Sequence, residues 1–265
     1  MKRNCPLRCC GPHEFRALLF DFDGTIVDTH TPDLQAWQEE FRHLGLELDE
    51  RWWIQHLGIR GEDQRCLDRI ESDLGRAIDR EGIMKRQEDR LHRLVSQQPI
   101  LPGIVDLLEE SRRRRWANAI VSNASSHWVE THLQRLGLKH FFDLVLTREH
   151  FRPGKPDPAG YLLALEHLAL RGAEALAFED SAAGWIAAEG AGISCVHIPL
   201  AISAPSDGLD IVLTLQSLQD IPADQILARM GSSFNCPLDA PAVFEGVATG
   251  QCNSSSAQLP KTCER

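Results

Sequence analysis

The sequence predicts an α/β protein, a Rossmann-like parallel sheet with helices on both faces and an inserted α-helical domain. From Phe15 onward, short apolar runs alternate with amphipathic segments, which is the rhythm of βαβ units. The apolar runs are nearly continuous, as strands covered on both faces must be. One interval, 32–98, drops the strand-like runs and keeps only Glu, Arg, Gln and Leu at helical spacing.

The first predicted strand is RALLFDF at 16–22, and it delivers two acids, Asp21 and Asp23, to its carboxyl end. The insert follows, with helical spacing in LQAWQEEFRHLG, WWIQHLGIRGEDQRCLDRI and REGIMKRQEDRLHRLVSQQ, and LPG then returns the chain to the alternating part. VDLLEESRRRR is a helix leading into a second strand, ANAIVSN at 117–123, and HWVETHLQRLG is the next helix. A third strand, FDLVLT at 142–147, is followed by the helix AGYLLALEHLAL. ALAFED at 175–180 is the fourth strand, SAAGWIAAEGAG its helix, and SCVHIP at 194–199 the fifth. DIVLT at 210–214 is a weaker edge strand, and ADQILARMG a last helix.

These elements predict a catalytic core from 15–31 and 99–230 and a helical cap from 32–98. The ends, 1–14 and 231–265, have no sustained period; the longer is rich in Ser, Pro, Ala and Gly, and both are predicted to be disordered tails.

Composition excludes several classes of function. Hydrophobic residues at 43% and charged residues at 25% exclude a fibrous or wholly disordered chain. A net charge of -10 argues against a nucleic-acid partner, which calls for a surplus of Lys and Arg. The single basic run, Arg112 to Arg115, ends a helical segment, where cations suit the macrodipole. No run of 18 apolar residues and no signal-like h-region occur, so no membrane partner is expected and a cytoplasmic location is. Six of the eight cysteines lie near the ends, without the paired spacing of a zinc module, and Cys66 and Cys195 read as small apolar fillers.

Ligands of an open parallel sheet bind beyond the carboxyl ends of its strands. The first strand ends in Asp21 and Asp23, the second in Ser122 and Asn123, the fourth in Glu179 and Asp180, and Lys155 follows the third in RPGKPDP. The two-residue period of a strand puts Asp21 and Asp23 on one side and Phe22 on the other. With Asp180 they form an oxygen-only donor set, which suits Mg²⁺ better than a softer metal. A carboxylate is a poor nucleophile towards most centres, but attack on phosphorus is an established role for it, and with a metal and a lysine to take up charge phosphoryl transfer is the natural reaction class. Asp21 is then the nucleophile and Asp23 the general acid and base. Ser122, with the backbone N–H groups of Asn123 and Ala124, would hold a phosphoryl oxygen, and Lys155 would neutralise its charge. Taken singly, each of these residues also reads as a helix cap, a turn residue or a solvated lysine. Their joint occurrence at successive strand ends favours the catalytic reading.

DFDGT, the Ser-Asn after the second strand, the Lys of GKPDP and EDSAAG resemble, in order, the four motifs of the haloacid dehalogenase superfamily, over roughly 15–220. The resemblance implies Mg²⁺ held by Asp21, the main-chain carbonyl of Asp23 and Asp180, with Glu179 in support, and a helical cap closing over the site. Asp23 counts against dehalogenation, because displacing halide needs no general acid. The insert, Asp28, Thr29 and Trp37 are similar to the β-phosphoglucomutase and phosphoglycolate phosphatase branch.

Sugar phosphomutases of that branch carry Lys-Gly-x-Ser-Arg in the cap and a His after the first motif. Here those places read Leu57-Gly58-Ile59-Arg60-Gly61 and Asp33. The expectation is therefore a phosphatase acting on a small phosphorylated metabolite, with Thr29 and Arg60 as further substrate contacts. The alternatives are a phosphomutase and a catalytically silent Mg²⁺-binding regulatory protein.

Overall fold

A computed structural model describes residues 15–57, 62–203, 209 and 211–232. Six strands form one sheet: β1 (Ala17–Phe20), β2 (Ala117–Val121), β3 (Leu144–Leu146), β4 (Ala175–Glu179), β5 (Ser194–His197) and β6 (Leu213–Thr214). Their order is β3-β2-β1-β4-β5-β6, and every pairing is parallel. The order reverses between β1 and β4, which opens a crevice at their carboxyl ends. The two acid-bearing ends, Asp21–Asp23 and Glu179–Asp180, flank that crevice. The DIVLT edge strand is present but short, reduced to Leu213–Thr214.

Nine α-helices occur among the described residues: α1 (His30–His43), α2 (Glu50–His56), α3 (Glu62–Leu74), α4 (Arg80–Val95), α5 (Ile104–Arg114), α6 (Ser126–Arg135), α7 (Ala159–Leu168), α8 (Ala182–Gly190) and α9 (Ala223–Ser232). Strand alternation sends Leu18 and Phe20 to one face of the sheet and Ala17 and Leu19 to the other. The first face buries Ile120, Leu176, Phe178 and Val196 with Leu107, Leu133 and Ile226 of α5, α6 and α9. The second is lined by small side chains, Ala17, Ala119, Ala175 and Ala177, against Tyr161, Ala164, Trp185 and Ala188 of α7 and α8. Both helices are apolar nearly all round.

Helices α1 to α4 carry a hydrophobic cluster of their own, centred on Trp37, Phe41, Trp53, Leu67 and Ile70. Trp37 and Trp53 are fully buried there, so they serve packing. Glu40 of α1 is also fully buried, and its Oε2 accepts from Arg86 Nε and Nη2 of α4 at 3.0 and 2.9 Å. Gln87 Nε2 of α4 donates to Asp33 Oδ1 at 2.6 Å, adding a second tie. The segment WWIQHLGIRGEDQRCLDRI contributes two helices, α2 and α3.

The arginine run completes α5 as the macrodipole argument expects. Arg113 and Arg114 pair with Glu110, and Arg115 takes the left-handed conformation that ends the helix. No helix among the described residues is long and apolar enough to cross a membrane. Of the predicted tails 1–14 and 231–265, Gly231 and Ser232 instead complete α9, and 1–14 and 233–265 lie outside the described residues.

Candidate active site

β1 stops at Phe20, but Asp21 N–H still donates to the Phe178 carbonyl at 3.0 Å, so the nucleophile candidate is held on the sheet. The chain then turns tightly, with Gly24 N–H on the Val27 carbonyl and Ile26 N–H on that of Phe22. Phe22, Ile26 and Val27 are fully buried and anchor this loop. Gly24 has φ +80°, and a Cβ there would lie 2.4 Å from Asp180 Oδ2, so no larger residue fits. The loop thus brings the first motif against the last.

Lys155 joins the strand ends. Its Nζ donates to Asp21 Oδ1 and to Glu179 Oε1, both at 2.6 Å, and its side chain is 5% exposed. Asn123 fixes the lysine's backbone: its Oδ1 accepts from Lys155 N–H at 3.0 Å and its Nδ2 donates to the Lys155 carbonyl at 3.4 Å. The Asn123 side chain therefore positions Lys155; a substrate contact from this residue falls to its backbone. Ser122 is buried, and its Oγ accepts from Ala124 N–H at 3.0 Å, so that N–H, expected to face a phosphoryl oxygen, is engaged by the serine. Neither Ser122 nor Asn123 caps α6; Ser125 does, accepting from Trp128 N–H.

Asp21, Glu179 and Asp180 bring carboxylate oxygens within 4.8 Å of one another. Burial raises the Asp21 pKa to about 6, with Lys155 opposing and Asp180 and Asp23 adding to the rise. Burial likewise raises Glu179 to about 8 against the pull of Lys155. Burial alone would lower the Lys155 ammonium, but Asp21 and Glu179 outweigh it and raise it. One cation thus serves two buried acids, which leaves the cluster short of positive charge. Glu179 Oε1 also accepts from Tyr161 OH, whereas its Oε2 is buried with no hydrogen-bond partner among the described residues. An orphaned buried oxygen, an all-oxygen donor set and a deficit of positive charge together fit a divalent metal ion.

Asp23 stands apart from this cluster. Its Oδ1 accepts from Trp128 Nε1–H at 2.8 Å, and Thr29 also hydrogen-bonds it. Thr29, expected at the substrate, is buried and hydrogen-bonds Asp23. Burial raises the Asp23 pKa, opposed by the Trp128 bond and by the charge of His30. Arg60 lies outside the described residues.

Four contributors escaped sequence reasoning: Trp128, Tyr161, His30 and Ser203. His30 Nε2 lies 3.1 Å from Asp180 Oδ2, and Ser203 Oγ donates to the same oxygen at 3.3 Å. His30 carried a faint signal, as a polar residue just after the first motif; the others sit in helices or loops where nothing marks them.

Fold and site together define a class: a doubly wound α/β protein with an acid cluster and a buried lysine at the switch point of its parallel sheet. Residues 18–198 match the family model described as haloacid dehalogenase-like hydrolase. The chain is 32% identical to fructose-1-phosphate phosphatase YqaB of Escherichia coli, over 70% of this chain and 97% of that one. It is 28% identical to a phosphorylated carbohydrates phosphatase of Thermotoga maritima, over 68% of this chain and 83% of that one. Among solved structures, CbbY from Rhodobacter sphaeroides in complex with phosphate superposes with a TM-score of 0.63 at 26% identity, covering 77% and 95% of the two chains. The chain belongs to the haloacid dehalogenase-like hydrolases, in the branch of phosphoglycolate phosphatase and β-phosphoglucomutase-like proteins.

Proposed function

We propose that this protein is a Mg²⁺-dependent phosphatase that hydrolyses the phosphate monoester of a small phosphorylated metabolite, a phosphorylated carbohydrate, through an aspartyl-phosphate intermediate on Asp21. The observation that carries the reading is the single buried ammonium of Lys155 shared between Asp21 and Glu179, next to Asp180. The names of the two phosphatase relatives support the substrate class.

Asp21 attacks phosphorus while Asp23 gives its proton to the departing oxygen. Asp23 then takes a proton from the water that cleaves the aspartyl phosphate. Lys155 and the Ser122 hydroxyl, with the Asn123 backbone N–H, hold phosphoryl oxygens. Asp21, the main-chain carbonyl of Asp23 and Asp180 would hold Mg²⁺, with Glu179 beside them, and the ion supplies positive charge to the phosphoryl oxygens. Residues 32–98, helices α1 to α4 in the main, serve as a cap that encloses the substrate and excludes water. No specific observation favours the mutase reading, since Asp33, where mutases carry His, ties α1 to α4 through Gln87.

The test is phosphate release from a panel of sugar phosphates with Mg²⁺ and with EDTA, for the wild type and Asp21→Asn. Release that needs the metal and falls by at least about 10³-fold in the variant is expected, as for loss of a nucleophile. Equal release from both proteins would sink the assignment.

A further inference from the structure

Trp128 hydrogen-bonds the Asp23 side chain, and no motif points to it. Its indole Nε1–H donates to Asp23 Oδ1 at 2.8 Å across 105 residues of sequence. The ring is clamped. Its backbone N–H is fixed by the Ser125 cap at 3.2 Å, and His132, one turn on, meets it edge-on at 4.5 Å. His132 is itself held, with its Nδ1 accepting from Arg135 Nε, and Arg135 Nη1 donates to the Gln98 carbonyl. From α4, His92 closes on the same indole at 4.9 Å.

An indole N–H can only donate. A protonated carboxyl group accepts better through its carbonyl oxygen than through its hydroxyl, so the bond from Trp128 favours Oδ1 as the carbonyl oxygen and Oδ2 as the one that carries the proton Asp23 moves. We infer that Trp128 is a positioning residue: by holding Oδ1 of Asp23, with Thr29 as the carboxyl group's other side-chain partner, it aims Oδ2 for proton transfer to the leaving oxygen. This inference rests on the phosphatase reading and deepens it, because it says which atom performs the proton step and what aims it.

The consequence depends on the leaving group. A nitrophenolate departs without a proton, whereas a sugar alkoxide needs one, so a misaimed Asp23 penalises the second substrate far more than the first. Two changes remove the donor: Trp128→Phe, and replacement of Trp128 by β-(3-benzothienyl)alanine, which keeps the ring shape and lacks the N–H. Thermal melting verifies that each remains folded.

We expect kcat/KM for the sugar phosphate to fall at least about tenfold more than kcat/KM for nitrophenyl phosphate, within the range that general acid catalysis contributes. Equal losses on both substrates would overturn the inference and leave the phosphatase reading standing. If the wild type releases phosphate from neither substrate, that reading fails. The contact is then judged by NMR in the metal-free protein: the Trp128 indole N–H resonance should shift on Asp23→Ala, and an unmoved resonance overturns the inference.

Discussion

The Lys155 ammonium bonds the Glu179 carboxylate at 2.6 Å, with the lysine side chain 5% exposed and the glutamate fully buried. Breaking a buried pair by removing one partner strands the other in a low-dielectric setting. Lys155→Met leaves two buried acids without their cation, and they recover part of the loss by binding protons. We expect a stability loss of about 3 kcal/mol in metal-free urea unfolding. Phosphate release should disappear with it. Wild-type stability in the variant would show that the ammonium is not holding the cluster.

Gly184 lies in the first turn of α8, against the same glutamate. An alanine in a helix interior ordinarily gains about 1 kcal/mol over glycine. Here its Cβ would lie 1.7 Å from Glu179 Oε2 and 2.1 Å from Cδ, so the carboxylate must move. The clash outweighs the propensity, and Gly184→Ala should destabilise the protein and weaken its metal binding. Thermal melting with and without Mg²⁺ measures both; a variant as stable as the wild type with the same metal-dependent rise in Tm would refute the placement of Glu179.

His30 should matter to the metal without touching it. An ionised carboxylate offers only acceptors, so His30 Nε2 carries the hydrogen that it shares with Asp180 Oδ2. That bond orients a predicted metal ligand, and outer partners of this kind are worth roughly 10- to 100-fold in affinity. Calorimetric titration of His30→Ala with Mg²⁺ should show about a tenfold weaker dissociation constant. Unchanged affinity would mean that Ser203 and the Gly24 loop suffice to orient Asp180.

His132 predicts an acid limb in stability. Burial, aided by Arg135 and His92, lowers its pKa from 6.5 to about 4. Between those values the unfolded chain binds a proton that the folded chain refuses, so stability falls as pH drops from 6.5 towards 4. Above 6.5 both states are neutral at this residue and it contributes no slope. His132→Phe should flatten the limb by on the order of 2 kcal/mol at pH 4, read from urea unfolding at stepped pH. An unaltered limb would assign the acid sensitivity elsewhere.

The six strands and the helices between them were legible because burial on two faces demands unbroken apolar runs. The strand ends were legible for the same reason: a run that stops at Asp21, Ser122 or Glu179 stops where the sheet opens. The insert was legible only as helical. Where one helix became α2 and α3, and how Glu40 came to be buried with Arg86, are matters of packing between segments distant in sequence.

Sequence by itself determined the sheet, the family and the set of acids with their lysine, because each is written in local residue order and strand period. The tertiary structure decided what each residue does there. It turned Asn123 onto the Lys155 backbone and Thr29 onto Asp23, and it recruited His30, Tyr161 and Trp128 from separate elements. Local order can place a carboxylate at the end of a strand. Its partners come from whatever side chains folding brings within hydrogen-bond reach, and that proximity has no counterpart in sequence spacing.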